Sequence, residues 1–267
     1  MSIISKILDR FQDINRFERI WKIAQVDFKR RYYNDRLGLI WALLNPVLTV
    51  LVYYYVFTHI VKRISEGIDQ NYAIFLFSGL IFWMAFVEMM KKGMRTLITK
   101  RYLIENIKVK KEDLFISSSL AITFALVFNI VAYLVMAAFF GVHYSFNLLF
   151  LPILILNVFL IGSGVGMILS IILIYFRDIS HIINLVVMLG FWTSGIFFKA
   201  ELILEKAPII YYLNPFVGII DNVRRITLYN IEPNLVTINA NIITGLLIFI
   251  LGFNVIKNFS QSAMEKL

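Results

Sequence analysis

Adjacent carboxylates, a glycine cluster and stripes of aromatic and amide side chains are the features of this chain that could do chemistry. Glu112 and Asp113 stand side by side, as a general acid and its base partner can. They lie in a basic stretch, where two acids are better used to start a helix or form a salt bridge. Gly162-Ser163-Gly164-Val165-Gly166 has the look of a nucleotide loop. It sits inside an apolar run without strand–turn–helix context, so it reads as close helix packing through small residues. No Gly-x-x-x-x-Gly-Lys-Ser/Thr run occurs, so the chain has no phosphate loop with which to hydrolyse ATP. There is no cysteine, and His59, His143 and His181 are isolated. Disulfides and thiolate sites are excluded, and the histidines have no metal-ligand spacing.

The stripes follow helical spacing. Trp41, Asn45, Thr49 and Tyr53 recur every fourth residue, and His181, Asn184, Met188, Trp192, Gly195 and Phe198 every third or fourth. Tyr72, Phe75, Phe82 and Phe86 share another face with Gly79. Aromatic faces pack against the C–H faces of sugars and leave the hydroxyls free, which suits a ligand that must slide. The same spacing serves ordinary bundle packing and the aromatic belts of membrane helices. The semi-polar stripes, Trp41, Asn45, Thr49 and Tyr53 with Asn184, Met188, Trp192 and Phe198, are the better candidates for a pathway wall.

The elements that must position these residues are helices in lipid. The chain is 60% hydrophobic and 16% charged, where a water-soluble domain carries about a quarter charged residues. Apolar windows of about 20 residues, enough to cross about 30 Å of hydrocarbon, fall at 37–60, 71–90, 114–140, 148–175, 182–198 and 238–256. All six are expected to be helices, because a spanning segment must satisfy its own backbone. Alternate flanks carry 20 and 6 Lys/Arg, which places both termini in the cytoplasm. The net charge of +9 therefore reports topology rather than nucleic-acid binding. The first window starts too late and runs too long for a cleaved signal peptide.

The expected architecture is an all-α integral membrane protein of six transmembrane helices. Residues 1–36 form a cytoplasmic segment, 37–256 the membrane domain and 257–267 a cytoplasmic tail. Residues 13–34 mix Phe17, Ile20, Trp21, Ile23 and Phe28 with Arg16, Arg19, Lys22, Lys29 and Arg30. This reads as an amphipathic helix at the membrane interface, or else as a soluble helix packed on a partner. Gln25 and Asp27 interrupt its apolar face. The extracytoplasmic segment 199–237 is rich in Leu, Ile and Tyr, and Pro208 and Asn214-Pro215 divide it. It reads as two short re-entrant helices. In the cytoplasmic loop 91–113, Leu97, Ile98, Tyr102, Leu103, Ile104 and Ile107 are spaced for a short amphipathic helix, which a soluble partner or anionic lipid could hold. Glu88 lies near the end of its window, within reach of Lys91 or Lys92 on one helix face. Spans without buried charge argue against proton- or ion-coupled transport.

Several separated segments resemble the permease subunits of type-2 ABC exporters, in particular those that export bacterial polysaccharides such as O-antigen, capsule or teichoic acid. Arg31-Tyr32-Tyr33 through Leu37-Gly38-x-x-Trp41-Ala42-Leu43-Leu44-Asn45-Pro46 resembles that family's approach to the first span. Leu103-Ile104-Glu105-Asn106, followed by Asp113-Leu114, resembles its coupling loop. Tyr175-Phe176-Arg177-Asp178-Ile179 resembles its loop before the fifth span, and Asn214-Pro215-Phe216 with Arg224 its outer segment. The chain has Val109-Lys110-Lys111 where the family often has Phe-Pro-Arg, and Gly195 where it often has proline.

The resemblance implies a bacterial inner-membrane homodimer around a pore, joined to two copies of a cytoplasmic ATPase. ATP and magnesium would be bound by that partner, with no cofactor or metal on this chain. The cargo would be a lipid-linked glycan. Leu103, Ile104 and Glu105 would meet the ATPase. Arg177 and Asp178 would form a second contact or a local lock, or merely cap helices. Tyr211, Tyr212, Asn214, Pro215 and Phe216 would form an outer gate. Competing readings are a type-2 ABC exporter of drugs or small lipids, a membrane acyl- or glycosyltransferase, and a scaffold subunit.

Overall fold

A computed structural model describes residues 15–33, 38, 40–56, 72–107 and 109–266, without the side chains at 31–33, 42, 43, 45, 46, 53, 54, 106 and 107. The described residues are mostly helical, with no strand among them. In chain order the helices are α1 (Arg16–Tyr33), α2 (Ile40–Tyr55), α3 (Tyr72–Thr99), α4 (Arg101–Ile107) and α5 (Lys111–Phe139). A 3-10 turn (Phe146–Phe150) leads into α6 (Leu151–Tyr175), and α7 (Ile179–Thr193), α8 (Ala200–Lys206), α9 (Pro208–Leu213), α10 (Pro215–Thr227) and α11 (Leu235–Met264) follow.

Four segments among the described residues are long and apolar enough to cross a membrane: α3, α5, the 3-10 turn with α6, and α11. Their ends differ from the apolar windows. α3 continues through Lys91, Lys92 and Arg95 to Thr99, because lysine and arginine end hydrophobicity without opposing the helix. α5 starts three residues early, and α11 runs into the tail as far as Met264. The loop expected at 91–113 shrinks to α4 and its flanking turns. α7 moves the other way: it stops at Thr193 and spans 15 residues, about 22 Å, where the window reached 198. The first window is described only in part, as the 16 residues of α2.

The segment after α7 contains three short helices, which corrects the expected two. Two proline breaks divide a chain into three pieces, and each proline also starts a helix, being preorganised for the first turn. Pro208 opens α9 and Pro215 opens α10, where Asn214 Oδ1 accepts from the Phe216 amide at 3.1 Å.

α6 packs between α3 and α11. Glycines allow this approach: a Cβ on Gly93 of α3 would stand 2.8 Å from Gly166 Cα of α6, and one on Gly252 of α11 would stand 2.5 Å from the Gly164 carbonyl oxygen. The cluster 162–166 is thus a packing seam, as its sequence context implies. α3 is the central helix, with 72% of its apolar window buried against 22% for α11. Tyr72, Phe75 and Phe82 are in the core, so the aromatic stripe of α3 is packing.

α1 lies on α5. Ile20 and Ala24 are buried, and Trp21 and Phe28 meet the Phe124 ring edge-on at 5.1 and 6.2 Å. Arg16 Nη2 contacts Asp113 Oδ1 at 2.7 Å, so the acid pair at the start of α5 contributes a salt bridge. Phe17 and Val26 point outward.

Candidate functional site

Helices α2, α3, α5 and α7 line an open cavity of about 1200 Å³. α7 contributes Ser180, Asn184, Val187, Met188 and Phe191, one face at three- and four-residue spacing. α3 contributes Trp83, Met84 and Val87, and then Glu88, Lys91, Lys92 and Arg95 toward its end near α4. Trp41 and Thr49 come from α2, and Ile122, Ala125, Leu126 and Asn129 from α5. The wall changes along its length: aromatic and apolar at Trp83 and Phe191, polar at Asn184 and Asn129, cationic at Lys91 to Arg95. From Trp83 to Arg95 the rise along α3 is about 18 Å.

Of the pathway residues read from spacing, Trp41, Thr49, Asn184 and Met188 line this cavity. Asn45 and Tyr53 lie outside the described side chains. Trp192 and Phe198 line a second cavity of about 250 Å³ with Leu202, Ile203, Lys206 and Ile210. Phe191 and Trp192 therefore serve different cavities one residue apart. The Phe197 ring packs against both, stacked on Trp192 at 4.9 Å and edge-on to Phe191 at 5.1 Å. The observed stripe of α7 shares Asn184 and Met188 with the expected one and differs at its ends, where Ser180 and Phe191 rather than His181 and Trp192 line the larger cavity.

Lining residues that spacing alone missed are Trp83, Asn129, Ser180 and the four charged residues of α3. Glu88, Lys91, Lys92 and Arg95 share helical spacing. Beside an apolar window, however, such charges signal topology before they signal a wall.

The segment that follows α7 is held by a buried arginine. Arg224 of α10 is 2% exposed. Its Nη1 donates to the carbonyls of Gly195 (2.7 Å) and Phe198 (3.1 Å), and its Nη2 to those of Ile196 (2.7 Å) and Phe75 (3.2 Å). Its Nε donates to Ser78 Oγ at 3.3 Å. The guanidinium also lies 3.4 Å above the Phe75 ring. Where α7 ends, residues 195–198 are apolar yet not helical, so their carbonyls need donors. Arg224 supplies those of Gly195, Ile196 and Phe198, in the planar fork that only arginine offers, and the Tyr72 hydroxyl donates to the Phe197 carbonyl at 3.4 Å. Asn214 Nδ2 adds a bond to the Thr193 carbonyl at 3.3 Å.

The five expected gate residues divide. Phe216 is buried, 5.2 Å from the Trp83 ring and 4.3 Å from Phe86, so it behaves as core. Pro215 contributes its carbonyl to Asn241 Nδ2 at 3.2 Å. Tyr211 packs with Ala200, Ile203 and Val217, and Tyr212 is exposed.

At the opposite end, Lys100 precedes α4. Its Nζ donates to Asp27 Oδ2 (2.6 Å) and Ser118 Oγ (2.8 Å). Burial pulls the ammonium below its ordinary range, and Asp27 opposes this. Along α4, Ile104 packs on the cluster around Leu97, Phe115 and Ile256, Leu103 is half-buried and Tyr102 is 65% exposed. Glu105 pairs with Arg101 at 2.6 Å. Arg177 and Asp178 are exposed, and the Asp178 side chain makes no cap at α7. The capping use open to Asp178 is thereby not realised.

Residues 18–228 match the ABC-2 type transporter family, and the chain belongs to that family. It is 24% identical over 250 residues to the O-antigen export system permease protein RfbA of Klebsiella pneumoniae, covering 93% of this chain and 95% of that one. A second Klebsiella pneumoniae protein of the same name is 25% identical over 245 residues, covering 90% and 93%. The O-antigen export system permease protein RfbA of Myxococcus xanthus is 24% identical over 206 residues, covering 76% and 78%.

Proposed function

We propose that this chain is the transmembrane subunit of an ABC exporter that moves a polysaccharide across the bacterial inner membrane. The observation that carries the proposal is similarity over nearly the whole chain to O-antigen export permeases, within a family match covering 18–228. The cavity suits such a cargo. Aromatic side chains at Trp41 and Phe191 line it together with amides at Asn129 and Asn184, a surface along which a sugar chain can slide without being held by one strong contact.

The finer reading has six spans with both termini cytoplasmic. α2 and α7 serve as the first and fifth spans, and α8 to α10 as re-entrant helices at the outer face. Support comes from the 20-to-6 distribution of Lys/Arg and from the low burial of α7, which has no fully buried residue and so leaves a face for a second copy. Two copies would close the pathway. ATP and magnesium would sit on two copies of a cytoplasmic ATPase, with no catalytic residue, cofactor or metal on this chain. α4 would dock the ATPase through Tyr102, Leu103 and Glu105, and Arg177 with Asp178 would face the same compartment. Tyr211, Tyr212 and Asn214 would border the exit.

Deleting the gene and comparing lipid-linked glycan inside the cell with polysaccharide at the surface tests the function. Trapped glycan under a bare surface is the expected result. A normal surface with no trapped intermediate overturns it.

A further inference from the structure

Lys91, Lys92 and Arg95 all line the larger cavity at its α4 end, and Glu88 is the acid on that wall. None of the three cations forms an ion pair among the described residues. Lys91 and Lys92 are half-buried and Arg95 is exposed, and all three stand on the cavity wall. Like charges within one helical turn repel, and a concave wall of one sign concentrates the opposite charge. Three cations against one acid leave an excess suited to a multiply charged anion, and Lys and Arg pair most strongly with phosphate oxygens. One to three turns along α3, the wall becomes Val87, Met84 and Trp83, with Met188 and Phe191 facing from α7. A ligand that fills both parts is an amphiphile with a phosphate-bearing head.

We propose that Lys91, Lys92 and Arg95 seat the phosphate group of a lipid entering this cavity, with Trp83, Met188 and Phe191 contacting the portion beyond it. Resting on the export reading, that phosphate is the one joining lipid to glycan. The seat then fixes which end of the cargo enters first. An anionic phospholipid of the bilayer offers the same chemistry from another source.

The full-length chain in phosphatidylcholine nanodiscs, titrated with a prenyl diphosphate and with the matching prenol, tests this. Tryptophan fluorescence reads occupancy, since Trp41 and Trp83 line the cavity. The diphosphate should bind about tenfold more tightly than the prenol, and the triple variant K91Q/K92Q/R95Q should remove that tenfold while leaving prenol binding unchanged. Phosphatidylglycerol added to the disc identifies the source. Competition assigns the seat to bilayer headgroups, and its absence to the transported lipid. Equal affinity for the two probes, or an unchanged diphosphate affinity in the triple variant, overturns the proposal. If the variant does not fold, the unmodified chain decides: salt must weaken diphosphate binding and spare prenol binding, and salt-independence of both overturns it. Failure of the export reading is distinguishable, because a deletion strain with normal surface polysaccharide leaves the diphosphate affinity intact.

Discussion

Lys100 Nζ stands 2.6 Å from Asp27 Oδ2, and this pair joins α1 to the turn from which α4 departs. Ser118 Oγ donates to the Leu114 carbonyl at 2.8 Å and accepts from Lys100, which brings α5 into the same node. Asp27 breaks the apolar face of α1 in sequence, and the node is the reason: the acid compensates an ammonium that is 11% exposed.

Asp27→Asn is therefore expected to destabilise the chain by about 3 kcal/mol, because it leaves Lys100 buried without its counter-charge. Thermal unfolding in detergent measures this. The charge reversal Asp27→Lys with Lys100→Asp should recover part of the loss. Unchanged unfolding in Asp27→Asn would show that the node does not hold α1.

Arg224→Lys should cost on the order of 3 kcal/mol despite keeping the charge. One ammonium cannot reach the carbonyls of Phe75, Gly195, Ile196 and Phe198 together, and each buried carbonyl left bare is costly. Trypsin cleavage at Lys199 and Lys206 should accelerate as the segment after α7 loosens. Equal cleavage and equal stability would mean that the four bonds are dispensable.

Tyr102→Asp with Leu103→Asp should abolish co-purification of the ATPase while shifting stability by no more than about 0.5 kcal/mol, since the substitutions avoid the core. Ile104 is left intact because it packs on the bundle. ATPase retained by the double variant would remove α4 from the docking surface.

Burial, and then Glu201, push the Asp221 carboxyl up to about 6 from 3.8. A carboxyl raised in the folded state binds its proton there first. Stability therefore rises as pH falls through about 6 toward 3.8, and the cost of ionisation is fully present above 6. The unfolding midpoint should be higher at about pH 5 than at about pH 7.5, by no more than about 2 kcal/mol of stability. Asp221→Asn should flatten that difference, and an unaltered profile in the variant would assign the dependence to other groups.

Part of the candidate site was legible in residue spacing. Period alone puts Trp41 with Thr49, and Asn184 with Met188, on shared helix faces, because a helix repeats its face every three to four residues, and all four line the larger cavity. Trp192 and Phe198 share that period and yet line the second cavity; Gly195, with φ of +82° just past the end of α7, is the local stop signal that the apolar run conceals. Phe216 reads as a gate by position after Asn214-Pro215, yet it is core because Trp83 and Phe86, 130 or more residues away in the chain, receive it. The cations of α3 read as boundary markers, and only the arrangement of α2, α3, α5 and α7 puts them on a cavity wall.

The sequence by itself determined the helical membrane class, most of the hydrophobic segments and the family, because these depend on composition, local period and motifs. Tertiary structure decided which faces line a cavity and what satisfies the carbonyls beyond α7. Those outcomes depend on donors and packing surfaces from distant segments, as when Arg224 completes the backbone of residues 195–198, and no local pattern encodes such a meeting.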